Sequence, residues 1–230
     1  MWEAGSKTVK DTFQSYGKID WLREYFDVEP AEVRSRLLRS FIPRKPSQMT
    51  TNGDLYGPCM IILTMVALLL FNMKSSGYLV PNGTLMGTAM FTSFGAWLVL
   101  SGILYVLCFL LGAEVPPLRL LSVFGYSLTS HCVVLLLTSL FHPSHDHLYF
   151  VALTLLLCLP SAIRLGLLIC MHARDTTNRL TLAAVAVSVH ILLIFYLHFG
   201  FHVVVEGIDS MVDAQIGADM LPKEATQLSQ

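Results

Sequence analysis

The sequence predicts an all-α fold: a polytopic membrane protein with a five-helix transmembrane bundle and a cytosolic N-terminal amphipathic helix. Apolar residues make up 54% of the 230 residues and charged residues only 13%, and the apolar ones gather into five stretches between Tyr56 and Val205. A helix of about 20 apolar residues crosses a hydrocarbon layer roughly 30 Å thick, because its backbone hydrogen bonds are all internal. The Lys and Arg residues, moreover, gather on alternate sides of these stretches.

Composition also excludes several classes of protein. The formal net charge is −1, so there is no basic surplus of the kind that binds nucleic acid. The five cysteines stand singly inside apolar stretches, without the paired spacing of a disulfide framework or a zinc site. Residues 1–41 are polar and charged, which predicts that an internal span rather than a cleaved signal peptide directs insertion.

The first element is a helix at about 30–42, within a cytosolic N-terminal segment at 1–53. Pro30 suits the first helical turn, and Glu29 and Glu32 place negative charge where the N-terminus of a helix favours it. An apolar stripe follows near helical spacing, with basic residues beside it: Val33, Leu37, Leu38 and Phe41, with Arg34, Arg36 and Arg39. Two alternatives remain open: the helix lies on an anionic membrane surface, or it packs on its own membrane domain.

The membrane domain is predicted at 54–205 and a lumenal tail at 206–230. Its spans are placed at about 58–73, 85–111, 118–141, 148–171 and 180–205. Small residues such as Gly87, Gly95 and Gly102 mark the second span as a helix-association surface, which we expect to be buried in the bundle. Pro160 is expected to kink the fourth span.

The positive charges define an orientation. Twelve Lys and Arg residues fall in the N-terminal segment and in the second and fourth loops, and two fall in the other loops and the tail. Cytosolic loops carry the excess of positive charge, so the N-terminus is predicted to be cytosolic and the C-terminus lumenal.

Asp54-Leu55-Tyr56-Gly57-Pro58 forms the entrance to the first span. Asp caps helix starts, Tyr suits the membrane interface, Gly permits a tight turn and Pro is tolerated in the first turn. These preferences account for the motif as a helix entrance.

A second motif, Gly125-Tyr126, lies in the third span and is explained by close helix packing and by a hydroxyl that needs a partner. Ser130 and His131 follow, but adjacent residues point about 100° apart on a helix, which disfavours a nucleophile and base pair. We therefore predict no enzyme activity, no catalytic residues and no cofactor.

Several polar residues lie within the predicted spans. Arg164 is the one deep charge, for which snorkelling or a lipid-headgroup contact is the preferred interpretation. His198, His202 and Glu206 share one face of the fifth span, with His190 deeper. Interfacial hydrogen bonding is favoured for this face. The alternative is that this face holds Zn²⁺ or relays protons, with His190 or with the lumenal loop residues His142, His145, Asp146 and His147. An ion or proton transporter would then use His190, His198, His202 and Glu206.

Asn82-Gly83-Thr84 is a candidate N-glycosylation site on the predicted lumenal side. Its closeness to the second span predicts low occupancy.

The entrance motif and the Gly125-Tyr126 pair, in that order and with five spans, resemble the Yip-domain family of Golgi and endoplasmic-reticulum membrane proteins. Three further segments resemble the subgroup of that family's third member: residues 25–38, 83–89 and 196–208. Residues 1–20 and the tail after Ile208 show no such resemblance.

The resemblance implies a non-enzymatic scaffold in the Golgi membrane, cycling through the endoplasmic reticulum. It implies a role in vesicle trafficking and Golgi organisation. The partners implied are Rab-type GTPases or other trafficking proteins, another Yip-domain membrane protein, and membrane lipids.

Overall fold

The computed structural model describes residues 25–41, 53–75, 82–141 and 147–220. Within these ranges the chain is helical and five helical stretches are long and apolar enough to cross a membrane, so the all-α polytopic prediction is confirmed. In chain order the helices are α1 (Pro30–Ser40), α2 (Tyr56–Ser75), α3 (Asn82–Leu110), α4 (Pro117–Ser127), α5 (Thr129–Phe141), α6 (His147–Leu153), α7 (Leu159–Cys170), α8 (Thr176–Phe195) and α9 (Phe201–Met220).

The spans are built from these helices. The first span is α2 and the second is α3, while α4 and α5 together form the third. The fourth joins α6 to α7 through a π-helical turn at Thr154–Cys158, and the fifth joins α8 to α9 through another at Tyr196–Gly200. These bounds lie within a few residues of the predicted ones, except at the end of the fifth span.

Helix α1 begins at Pro30 and packs on the third span. Val33 and Leu37 contact the hydrophobic core from this helix, whereas Leu38 is 58% exposed. Of the two alternatives for its apolar stripe, the structure shows packing on the chain's own membrane domain.

The third span is the centre of the bundle, with 78% of its apolar window buried. It is interrupted at Leu128, whose N–H donates to the carbonyls of both Phe124 and Gly125. Phe124 and Leu135, one on each side of this break, are fully buried. Helix α1 and the neighbouring spans therefore pack around a buried third span.

The second span is not buried in the bundle, contrary to expectation. Only 28% of its apolar window is buried, the lowest share among the five. Ala89 and Ser93 face the core, but Gly87 and Gly102 face outward and Phe91 is 81% exposed. The small residues predicted that this helix is buried. In the structure the face with Ala89 and Ser93 packs on the rest of the chain, and the face with Gly87 and Gly102 does not.

Pro160 lies next to a departure from α-helical geometry in the fourth span. The π-helical turn Thr154–Cys158 ends just before α7, in which Pro160 occupies the first turn. Proline has no N–H to donate to the carbonyl four residues earlier, and a π-helical turn is one way in which a helix accommodates that loss.

The last helix continues to Met220, whereas the lumenal tail was predicted to begin at residue 206. The prediction rested on the end of the apolar stretch at Val205, after which the sequence becomes polar. A helix can nevertheless continue into water, because its backbone hydrogen bonds do not depend on lipid. Residues 221–230 lie outside the described residues.

Candidate functional site

The first site centres on Asp54, which is 1% exposed at the start of the first span. Its Oδ2 accepts the backbone N–H of Gly57 at 3.1 Å, as expected of a residue that caps a helix. The same oxygen accepts the hydroxyl of Tyr126 at 2.8 Å, and the Asp54 N–H donates to Ser122 Oγ at 3.2 Å. The carboxylate therefore joins the first span to the third.

Arg36 brings helix α1 to the same carboxylate. Its guanidinium forms ion pairs with Asp54 and with Glu32, and the Arg36 and Asp54 side chains are only 10% and 2% exposed. Burial disfavours the guanidinium charge, but the hydrogen bonds to Glu32 and Asp54 outweigh it and raise the pKa of Arg36. Arg36 therefore stays charged at every physiological pH.

A backbone bond supports the same attachment. The N–H of Leu55 donates to the carbonyl of Tyr25 at 2.9 Å, which ties the segment before α1 to the entrance of the first span. Leu55 itself is buried, while Tyr56 is 39% exposed.

Two glycines allow the first and third spans to approach closely. A Cβ on Gly57 would overlap the phenol ring of Tyr126. A Cβ on Gly125 would lie 2.5 Å from Pro58 Cβ and 2.9 Å from the indole Nε1 of Trp97. Only glycine fits at either position without displacing a neighbour.

Trp97 closes this contact from the second span. Its indole Nε1 donates to the Leu121 carbonyl at 2.9 Å, and its side chain is buried beside Gly125. The entrance motif and the Gly125-Tyr126 pair thus lie in one contact, although 67 residues separate Pro58 from Gly125.

The family description that matches this chain is "YIPF3 C-terminal domain", over residues 30–202. The chain belongs to this Yip-type family. The match extends from the start of α1 to His202, and it confirms the resemblance on which the two motifs were interpreted. No solved structure matches the chain.

A second polar cluster of this Yip-type chain lies inside the bundle, around His131 and His190. Both side chains are fully buried, and their rings meet edge to face with centroids 4.3 Å apart. His131 Nε2 lies 3.0 Å from the His190 carbonyl, a distance at which the Nε2–H tautomer donates. The nitrogens of His190 lie 3.3 Å from Ser127 Oγ and 3.4 Å from Ser130 Oγ.

This cluster joins three spans. Ser161 in the fourth span donates to the Ser127 carbonyl at 3.2 Å, beside the His190 ring of the fifth. Ser130 and His131 were expected not to pair with each other, and each instead contacts His190. The pairing could not be derived from sequence, because 59 residues separate the two histidines.

The predicted stripe on the fifth span does not gather into one site. His198 stacks on Phe150 with ring centroids 3.9 Å apart, His202 is half-buried and Glu206 is exposed. Among the described residues, no group of three or more His, Cys, Asp and Glu side chains could hold a metal ion. His142, His145 and Asp146 lie outside the described residues, as does the side chain of His147.

The other residues singled out from the sequence are Arg164, the three glycines of the second span and Asn82. Arg164 is half-buried in α7. Gly87, Gly95 and Gly102 have no atom within 4 Å of an added Cβ, so they do not pack closely on another helix of this chain. Their association with a helix of another chain stays a prediction. Asn82 is the first residue of α3, and its side chain is outside the described residues.

Arg36, Ser122 and Trp97 in the first site, and Ser161 in the second, are residues whose part sequence analysis did not identify. Asp54 gave one usable signal, since a carboxylate at the entrance to a span needs a cation once it is buried. Arg34, Arg36 and Arg39 were all candidates for that cation, and spacing along α1 did not distinguish them.

Proposed function

We propose that this chain is a non-enzymatic membrane scaffold of the Golgi and early secretory pathway, acting in vesicle trafficking and Golgi organisation. The observation that carries the proposal is the contact of the two family motifs, because the same contact fixes α1 on the bundle through Arg36 and Asp54. A scaffold needs a fixed geometry between its membrane domain and the segment that meets other proteins. The contact supplies that geometry without a catalytic group.

The proposed orientation places α1 in the cytosol and the end of the fifth span in the lumen. It rests on the excess of Lys and Arg in the N-terminal segment and in the second and fourth loops. A Cβ on Gly53 would lie 3.1 Å from Arg119 Cα, so the starts of the first and third spans lie on the same side of the bundle.

The orientation can be tested with a tag on each terminus of the full chain. After selective permeabilisation of the plasma membrane, added protease should remove the N-terminal tag and spare the C-terminal one. Digestion of the C-terminal tag while a lumenal marker stays intact would overturn the orientation.

Two kinds of partner follow from the proposal. The N-terminal segment would meet cytosolic trafficking proteins such as Rab-type GTPases. The outward face of the second span, which includes Phe91 and Val99 at 81% and 59% exposed, would meet another Yip-domain membrane protein. Membrane lipids cover the other outward faces.

Affinity capture of the full chain from mild detergent tests both partnerships, with imaging to test Golgi location. We expect capture of a Yip-type protein and of trafficking components. Arg36→Gln, which detaches α1, should reduce the cytosolic partners and leave the Yip-type partner bound. Arg39→Gln is the matched control, because Arg39 is exposed on the same helix. Recovery of neither class of partner, or absence from the Golgi, would overturn the proposal.

A further inference from the structure

A cleft opens at the end of the bundle where the second span ends and the third and fifth begin. We propose that it binds the headgroup of a zwitterionic phospholipid, one that carries a phosphate and a quaternary ammonium. The cleft has a volume of about 770 Å³, and the residues that decide its chemistry are Tyr105, Phe109, Glu114, Arg174, Asp175 and Asn178.

The walls of the cleft are fixed by hydrogen bonds. Gly112 adopts a φ of 69° after the second span, and the Ala113 N–H donates back to the Cys108 carbonyl at 2.8 Å. Glycine is favoured in this left-handed conformation at the end of a helix. Asn178 Nδ2 donates to the Leu111 carbonyl at 3.1 Å, which fastens this turn to α8. The cleft is therefore formed before any ligand arrives.

Its charges match a zwitterion. Arg174, Glu114 and Asp175 are exposed in the cleft, and within the part of the chain that the structure describes none of the three forms an ion pair. A guanidinium binds a phosphate through paired hydrogen bonds, and two carboxylates attract a cation.

Aromatic rings complete a site for quaternary ammonium. Tyr105 and Phe109 are one helical turn apart, so they share a face of the second span, and both line the cleft. A quaternary ammonium is attracted to the faces of such rings and cannot donate hydrogen bonds, so it suits aromatic and carboxylate neighbours.

The height of the cleft indicates a lipid rather than a soluble ligand. It lies where the apolar window of the second span ends, and Phe109 and Leu110 are 74% and 71% exposed there. A headgroup at this level can leave its acyl chains along the end of the same helix next to the cleft, where Ile103 and Val106 are 50% and 54% exposed, beyond the stretch of Phe91 and Val99. The inference does not depend on the trafficking role proposed above.

Native mass spectrometry of the full chain in detergent tests the site, with dioleoylphosphatidylcholine as the probe. We expect one lipid to bind, with about tenfold weaker binding for Arg174→Gln, as expected when one charged contact is lost. Phe109→Ala should also weaken binding, by about two- to fivefold, because it removes an aromatic contact to the ammonium. Arg39→Gln and Phe91→Ala are the controls, because they remove an exposed arginine and an exposed aromatic residue outside the cleft.

Three comparisons decide the ligand class. Dioleoylglycerol, which lacks the headgroup, and dioleoylphosphatidic acid, which lacks the ammonium, should each bind at least tenfold more weakly. Equal binding of either would overturn the proposal. Soluble glycerophosphocholine should not displace the lipid at equal concentration. Displacement would show that the site takes a free headgroup, and would overturn the lipid assignment.

Discussion

The hydroxyl of Tyr126 donates a hydrogen bond of 2.8 Å to Asp54 Oδ2, across 72 residues of sequence. It joins one family motif to the other at a carboxylate that also pairs with Arg36. The Asp54 carboxylate therefore links the first span, the third span and α1.

Tyr126→Phe removes one hydrogen bond to a charged acceptor, for which we expect a loss of about 1.5–3 kcal/mol of stability. Asp54→Asn should cost about 3–5 kcal/mol, because it leaves the buried Arg36 guanidinium with only the exposed Glu32 as an ion-pair partner. The thermal midpoint of the full chain in detergent should fall in that order. In a double-mutant cycle the two losses should be less than additive, because they share one oxygen. Additive losses would show that the two side chains do not interact.

Arg36→Gln should release α1 from the bundle while the spans stay folded. The N-terminal region should then be cut faster in limited proteolysis of the detergent-solubilised chain, because an attached helix resists local opening. Arg39→Gln serves as the control, since Arg39 is exposed in the last turn of the same helix. Equal cutting rates for both variants would contradict the attachment.

Gly57→Ala should destabilise the chain by about 1–3 kcal/mol, the usual cost of an overpacked core. Its Cβ would overlap the Tyr126 ring, whereas the same change at Gly87 meets no atom within 4 Å. Gly87→Ala should leave the thermal midpoint unchanged or raise it, since alanine favours helix. A fall of equal size for both variants would show that the close approach of Gly57 to Tyr126 does not set the cost.

The sequence predicted the class and the order of the spans because hydropathy and charge are properties of local segments. It also predicted the capping role of Asp54, since a cap acts within one helical turn. The Asp54–Tyr126 bond and the His131–His190 contact depend on how distant segments pack, and spacing along the chain does not determine that. The burial of the second span was predicted wrongly for the same reason: small residues show that a helix can pack closely, but not against which chain.

His190→Leu should lower the thermal midpoint even though leucine suits a membrane interior. Ser127 and Ser130 each lie within hydrogen-bonding distance of the His190 ring. An apolar replacement of similar size removes that partner from a fully buried cluster, and we expect a cost of about 1–3 kcal/mol. Ser188→Ala is the control, because Ser188 is exposed in the same span. If the thermal midpoint of His190→Leu equals that of the parent chain, the hydrogen bonds of the His190 ring contribute nothing to stability.

Gly87→Leu and Gly95→Leu should reduce assembly with a Yip-type partner without unfolding the chain. No atom lies within 4 Å of an added Cβ at either position, so the added side chain starts in open space within this chain. Helices in a membrane associate through small residues that let their backbones approach, and leucine would separate them. Gly207→Leu is the control, because Gly207 is equally open but lies in α9. The size of the detergent-purified complex should fall for the first two variants and stay constant for the third, each with an unchanged thermal midpoint. If the complexes of both second-span variants keep their size, this face is not part of the interface. If the thermal midpoint falls, the substitutions destabilise the chain itself and the interface interpretation is wrong.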